Sequence, residues 1–415
     1  MKLSLVKIGT TGLIASILPS SLAGAQDSYF DRDRYVSVTE RAQPAYDAEP
    51  LRAGSFELFP ELEAGVGTQT NLFATENDEV DDIVIIGAPS LRGRSTWSRH
   101  ELNFDANVRH REFVDVGSQS TTAYGGSIGG RLDVSSSVDL TARARAGRTY
   151  EPRTAAAADP NSREPVEVDR VGGEFGATYQ TGRLELSANA GFDEYDYGNA
   201  VLNDGTPFSQ DFRDRDESKL HAKAAWAVNR DVAVFVEGAQ IERDYGAATA
   251  AGRDSTGEIV RVGANFELPV LIRGNVSIGH QSFEFDDPSF DIDGVSIDAE
   301  VQWFATQLVT LTAGASQSVE DPGLLATAGA DVSSWMLRGD YEARRNLLLF
   351  AQANADKYDF EGIDREDDRV TAAIGATYKV NKNVWVETSY RHINQDSDVQ
   401  EFSDNRLMLA LKLRP

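Results

Sequence analysis

Two short stretches of this sequence carry the residue types of known chemical devices. Gly125-Gly126-Ser127-Ile128-Gly129 fits G-x-S-x-G, the pattern of a serine nucleophile on a strained strand-to-helix turn. Ser289 to Glu300, SFDIDGVSIDAE, sets Asp291, Asp293, Gly294 and Glu300 at the offsets of a calcium loop, with Ser289 at the first ligand position. Neither has the context its chemistry needs. Ser127 lies in TAYGGSIGGRLDV, which alternates like a strand and leads into no helix, so it reads as a small inward residue. Residues 295–302 also alternate, which carries Glu300 away from Asp291 and Asp293 and leaves only loose Ca²⁺ binding by acidic loops. The five histidines lie on separate segments, with no pair at metal-ligand spacing. The chain therefore reads as a non-enzyme without a cofactor.

A third pattern is larger. Arg92 and Arg94, Arg109 and Arg111, and Arg143 and Arg145 each recur at every second position of their segments. Glu101, Asp105, Asp298, Glu300, Arg338, Asp340, Glu387 and Arg391 fall on the polar parity of theirs. Guanidinium groups in such an array can guide anionic or hydroxylated solutes, because each offers several donors at once. Interspersed carboxylates keep the field mixed, which orients a solute without trapping it. That chemistry requires all these side chains to share one water-filled face.

The elements that could provide such a face are strands. HELNFDANVRHREF puts Leu102, Phe104, Ala106 and Val108 on one side and its charged residues on the other. VDLTARARAGRTY, VSIDAEVQW and RVTAAIGATYKV repeat the scheme, and a period of two means strand. A soluble sandwich alternates too. Two features favour a transmembrane barrel instead. The segments run to about 10–14 residues where globular strands have about 5 or 6. Their connections also alternate between tight turns, such as NRD (229–231) and NKN (381–383), and long acidic loops, such as 76–82, 151–167, 199–217 and 394–404.

About 18 strands (16–18) are expected from this pattern, an even number as such barrels require. They begin near residues 55, 82, 100, 121, 138, 168, 183, 218, 232, 257, 274, 295, 308, 331, 347, 369, 384 and 404. An even count leaves both termini in the periplasm and closes the first strand onto the last, so that no edge is bare in lipid. Leu407, Leu409, Leu411 and Leu413 then form the lipid-facing stripe of the closing strand. Trp97, Trp226, Trp303 and Trp385 lie near short turns, where a periplasmic aromatic girdle belongs. Tyr150, Tyr195, Tyr197, Tyr245, Phe283 and Tyr358 would form the other girdle. One long loop should fold inward as a constriction, first 199–217 and next 151–167.

The ends and the composition agree. Residues 1–25 have a basic start, an apolar middle and the exit Ala23-Gly24-Ala25, the layout of a secretory signal peptide; the alternative is a single membrane anchor, but the apolar run is broken and short for a span. Residues 26–54 do not alternate and read as an extended periplasmic arm tucked against the barrel mouth, leaving 55–415 as the barrel. There is no cysteine, hence no disulfide or thiolate metal site. A net charge of −26 argues against nucleic acid as a partner.

The arm and first strand carry a resemblance. Gln43-Pro44-Ala45-Tyr46-Asp47, Gly54-Ser55-Phe56, the TNLFAT element at 70–75 and the turn Ser95 to His100 resemble the start of the Putative beta-barrel porin 2 family. The end, Lys412-Leu413-Arg414-Pro415, departs from the terminal aromatic typical of barrel assembly signals. The resemblance implies a Gram-negative outer-membrane location beside lipid and lipopolysaccharide. It also implies a part in the outer-membrane step of exopolysaccharide secretion, with a periplasmic export protein as partner. The residues themselves leave open a general diffusion porin for small polar solutes, and more distantly a structural or adhesive barrel.

Overall fold

The computed structural model describes residues 35–159 and 161–414, so the signal-peptide reading at 1–25 and the first part of the arm lie outside the described residues. The strands are β1 Leu51–Ala53, β2 Phe56–Gln69, β3 Asp82–Ser95, β4 Glu101–Phe113, β5 Thr121–Asp133, β6 Val138–Tyr150, β7 Glu167–Thr181, β8 Leu184–Tyr197, β9 Ala200–Val201, β10 Pro207–Phe208 and β11 Arg215–Ala227. They continue as β12 Val232–Tyr245, β13 Ser255–Leu268, β14 Ile272–Phe285, β15 Ile292–Thr306, β16 Val309–Glu320, β17 Ala330–Arg344, β18 Leu347–Phe360, β19 Glu366–Lys379, β20 Val384–Ser397 and β21 Phe402–Leu413.

Nineteen strands share one sheet, and removing the short β1 leaves eighteen long ones. Each pairs antiparallel with its chain neighbour, β8 meeting β11 across the small β9–β10 hairpin. The barrel closes where β2 pairs with β21, from Leu62↔Leu413 to Gln69↔Arg406. Closure satisfies the backbone of both terminal strands, which is what permits strands in hydrocarbon. All eighteen long strands start within three residues of the positions read from the alternation.

The outer face is the apolar parity. Leu407, Leu409, Leu411 and Leu413 are exposed on β21, as are Val260, Val262, Ile278, Leu337 and Ile374 around the wall. Trp97, Trp226 and Trp303 are exposed near the short turns, as a girdle requires. Trp385 is not: it is buried on the inner face, and its Nε1 donates to the Tyr46 carbonyl at 3.1 Å. The second girdle is likewise corrected. Tyr195, Tyr197, Tyr245, Phe283 and Tyr358 share the inward parity of Asp193, Arg243, Gln281 and Phe360 on their strands, because rings there stack beneath arginines. Arg213 lies 4.1 Å over Tyr197, Arg215 4.4 Å over Tyr195 and Arg253 5.2 Å over Tyr245.

The arm differs from an unpaired extension at its end. Leu51–Ala53 fold back on Phe56–Leu58 as a hairpin, with Gly54 at φ 61°. A side chain would strain that position, so the glycine sets the turn.

Candidate functional site

The inner wall is built by strand parity alone: residues directly opposite in the ladder share a face, so one register places a whole row. Arg94 and Glu57 are such partners, with Arg94 donating from Nε and Nη2 at 2.9 and 2.7 Å. Arg109 reaches Glu63 at 3.1 Å. Arg143 donates to Asp105 at 3.2 Å and to Ser127 Oγ at 2.7 Å, which places Ser127 as a small inward link between strands. Arg145 and Arg170 share the buried Asp193. The row continues, with Glu217 holding Arg243 at 3.0 Å and Glu237 holding Arg261, itself expected inward from the alternation, at 2.8 Å. Glu217, Arg243, Glu237 and Asp193 have the same alternating parity and were legible by extending it.

The arginine array is thus largely neutralised by its own wall. Arg92 and Arg111 are different, with no ion pair to a carboxylate among the described residues. Arg111 sits within reach of the positive charges of Arg109, Arg391 and Arg406, and Arg391 faces Arg406 directly across the β20–β21 ladder. Arg338 is tied to Asp340 at 2.8 Å and stacks 4.6 Å over Phe350, while Glu387 takes Lys412 at 2.8 Å. On β15–β18 the balance reverses. Asp298 and Asp356 accept from Asn275 and Ser334 at 3.2 and 2.7 Å, both neutral donors. Glu300 accepts from Gln302 at 3.3 Å, and Glu101 from Asn103 at 3.3 Å. Arginines without an ion pair among the described residues therefore lie on β3–β4, and carboxylates bonded by neutral donors on β15 and β18.

The calcium pattern does not assemble. Asp291 accepts the Phe285 N–H at 2.8 Å, while Asp293 points outward to His280 at 3.1 Å. Among the described residues no group of three or more carboxylates or histidines is placed to hold a metal ion.

The periplasmic end is floored by the arm. The Val38 side chain is 1% exposed inside the barrel and its N–H donates to Thr310 Oγ1 at 3.1 Å. Arg41 pairs with Glu342 at 2.7 Å, Glu40 with Arg273 at 3.1 Å, Asp47 with Lys379 at 3.0 Å, and Glu49 with Lys382. These contacts carry the arm from β14 to the β19–β20 turn. Burial pushes the Glu40 carboxyl up, but the Arg273 charge and the Ser37 hydrogen bonds outweigh it and hold it below the ordinary glutamate value. Between arm and wall lies a cavity of about 350 Å³, lined by Arg92, Arg338, Arg391, Phe59, Phe350 and Trp385 among others. Phe350 lies flat on this wall because its ladder partner is Gly375. A Cβ there would stand 2.5 Å from the ring and 2.7 Å from the Thr388 carbonyl oxygen.

The opposite mouth is crossed by loops. Residues 151–166, the second choice from sequence, do the spanning. Glu151 binds Arg213, Arg153 donates to Gln119 and to the Ser162 carbonyl, and the Thr154 carbonyl accepts from Arg369 on β19. Burial pushes the Arg153 guanidinium down to about 10. The first choice, 199–217, forms the β9–β10 pair, bridges loop 151–166 at Ser162↔Leu202, and turns Arg213 and Phe212 inward, Phe212 packing on Tyr245 and Ala250.

Residues 321–329 were not expected to enter at all. Asp321 accepts from Arg253 Nη2 at 2.6 Å, Arg215 Nη1 at 3.4 Å, Tyr245 Oη at 2.8 Å and the Gly323 N–H at 2.8 Å. Ala328 then packs on inward Ile241, Ile259, Phe283, Phe285 and Ile292, and Leu324 on Phe360. Of the apolar run Leu324-Leu325-Ala326 only Leu324 packs inward, and Leu325 stays exposed.

Known proteins resemble this chain at two levels. No curated protein matches it. Among solved structures, a BenF-like porin from Pseudomonas fluorescens Pf-5 is 12% identical, with 87% of this chain and 99% of that chain covered and a TM-score of 0.48. OpdO of Pseudomonas aeruginosa is 14% identical over 87% and 97% at 0.48, and OccAB4 of Acinetobacter baumannii 13% identical over 88% and 99% at 0.47. The family model described as Putative beta-barrel porin 2 matches residues 43–415, the whole barrel with part of the arm. The chain belongs to that family and is an outer-membrane β-barrel porin of the Gram-negative envelope.

Proposed function

We propose that this porin is a passive channel for small polar solutes. The observation that carries this reading is that its own chain narrows both mouths. The arm floors one end, with a charged cavity of about 350 Å³ between it and the wall, and loops 151–166 and 321–329 cross the other. That size is at the lower end of small-molecule sites. Inward guanidiniums and carboxylates on different arcs replace part of the hydration of a polar solute while it passes. Export of an exopolysaccharide, which the family resemblance implied, requires a chain-long open path. Both the arm and loop 151–166 would have to leave their buried partners to open it. The barrel reconstituted in a planar bilayer tests the reading: discrete salt-conducting steps support it, and a silent bilayer holding heat-modifiable barrel contradicts it.

A further inference from the structure

We infer that the cavity above the arm is a binding subsite for a compact organic monocarboxylate, with Arg92 as its anchor. The inference rests on the channel reading and names the solute class. Three observations converge. First, the charges of the lining are unequally committed. Glu61 holds Arg414, Asp340 holds Arg338 and Glu387 holds Lys412, and the arm's acids are each paired with the wall. Arg92 has no ion pair among the described residues. Asp105, opposite Arg92 in the ladder, is turned to Arg143 and Ser127 instead.

Second, Arg391 lines the same cavity, so guanidiniums face it from both β3 and β20. An entering carboxylate meets a guanidinium that can grip both its oxygens, with no acid to displace. Third, Arg92 lies across the ladder from Phe59, and Phe350 closes the cavity on its other side. Arg94 lies 5.3 Å over Phe59 and Arg338 4.6 Å over Phe350, so a carbon skeleton the size of a hexose acid would lie between these stacked pairs with its carboxylate on Arg92. The arm supplies the floor, which holds the solute in the cavity rather than letting it pass unhindered.

Titration calorimetry on the detergent-solubilised barrel with gluconate, against neutral sorbitol, tests this. Gluconate should bind and sorbitol should not, and Arg92→Gln should weaken gluconate at least tenfold. Arg92 makes no ion pair among the described residues, so this variant should retain heat-modifiable folding, checked on unheated gels. Equal binding of the two solutes, or unchanged gluconate affinity in Arg92→Gln, overturns the subsite. Bilayer recordings separate the two readings. Salt current without gluconate binding removes the subsite and keeps the channel. Gluconate binding without any salt current removes the channel and keeps the site.

Discussion

Arg253 reaches across the extracellular mouth to Asp321, Nη2 to Oδ1 at 2.6 Å, with side chains only 5% and 2% exposed. The pair pins a nine-residue loop into the lumen, and the loop's Ala328 seals the apolar patch beneath. Removing one partner leaves the other charge buried and alone, a loss of about 3–5 kcal/mol for pairs of this kind. Asp321→Ala should therefore release residues 321–329 while the barrel stays closed. Hydrogen exchange should rise in that loop and not in β16 or β17. Unchanged protection of 321–329 would contradict the role given to the pair.

The same contact sets a pH dependence. Burial pushes the Asp321 carboxyl up, but the Arg253 and Arg215 charges, the Gly323 N–H and the Tyr245 hydroxyl outweigh it and hold it at about 2. A group whose folded value lies below its free value of about 4 stabilises the docked loop fully above that free value. The contribution is lost as pH falls through about 2. Channel conductance should be steady from neutral pH to about pH 4, then become larger or noisier below it. In Asp321→Asn that acid transition should be absent.

The faces of the wall give a second pair of variants. Leu409→Arg places charge in lipid near mid-strand and should cost about 2–4 kcal/mol, seen as lower barrel yield. Arg143→Ala removes a pair whose members are 51% and 40% exposed, so it should cost less than about 1 kcal/mol. Lost assembly in Arg143→Ala with normal assembly in Leu409→Arg would mean the faces are reversed.

What was legible in the sequence follows from this geometry. Strand positions and faces were readable because parity is a local property, and a single error of register would have turned Leu409 inward and Arg143 into lipid. The aromatics misled because position near a loop does not set direction. Tyr245 and Trp385 lie at strand ends but on the inward parity, which the neighbouring Arg243 and Lys379 already indicated. Loop packing was opaque, since Arg253 and Asp321 are 68 residues apart and no period links them. Which inward arginines stay uncommitted was opaque for the same reason. Arg92 and Arg94 look alike in sequence, and only the register shows Arg94 meeting Glu57 while Arg92 meets Phe59.

The arm should limit flow. Arg41, Lys379 and Lys382 hold it through ion pairs, and Trp385 holds it through the Tyr46 carbonyl. Arg41→Ala combined with Lys379→Ala should raise single-channel conductance without lowering barrel yield. High salt should do the same more weakly in the parent protein, because partly exposed pairs are screened. Conductance unchanged in the double variant would remove the arm from the path.

Size selection tests the central claim most directly. Liposomes carrying the purified barrel are placed in isosmotic solutions of a monosaccharide, a trisaccharide and a hexasaccharide, and swelling rates are compared with empty liposomes. A passive channel narrowed at both mouths predicts fast swelling in the monosaccharide, slow swelling in the trisaccharide and none in the hexasaccharide. Equal swelling in all three, or none in any, would contradict it.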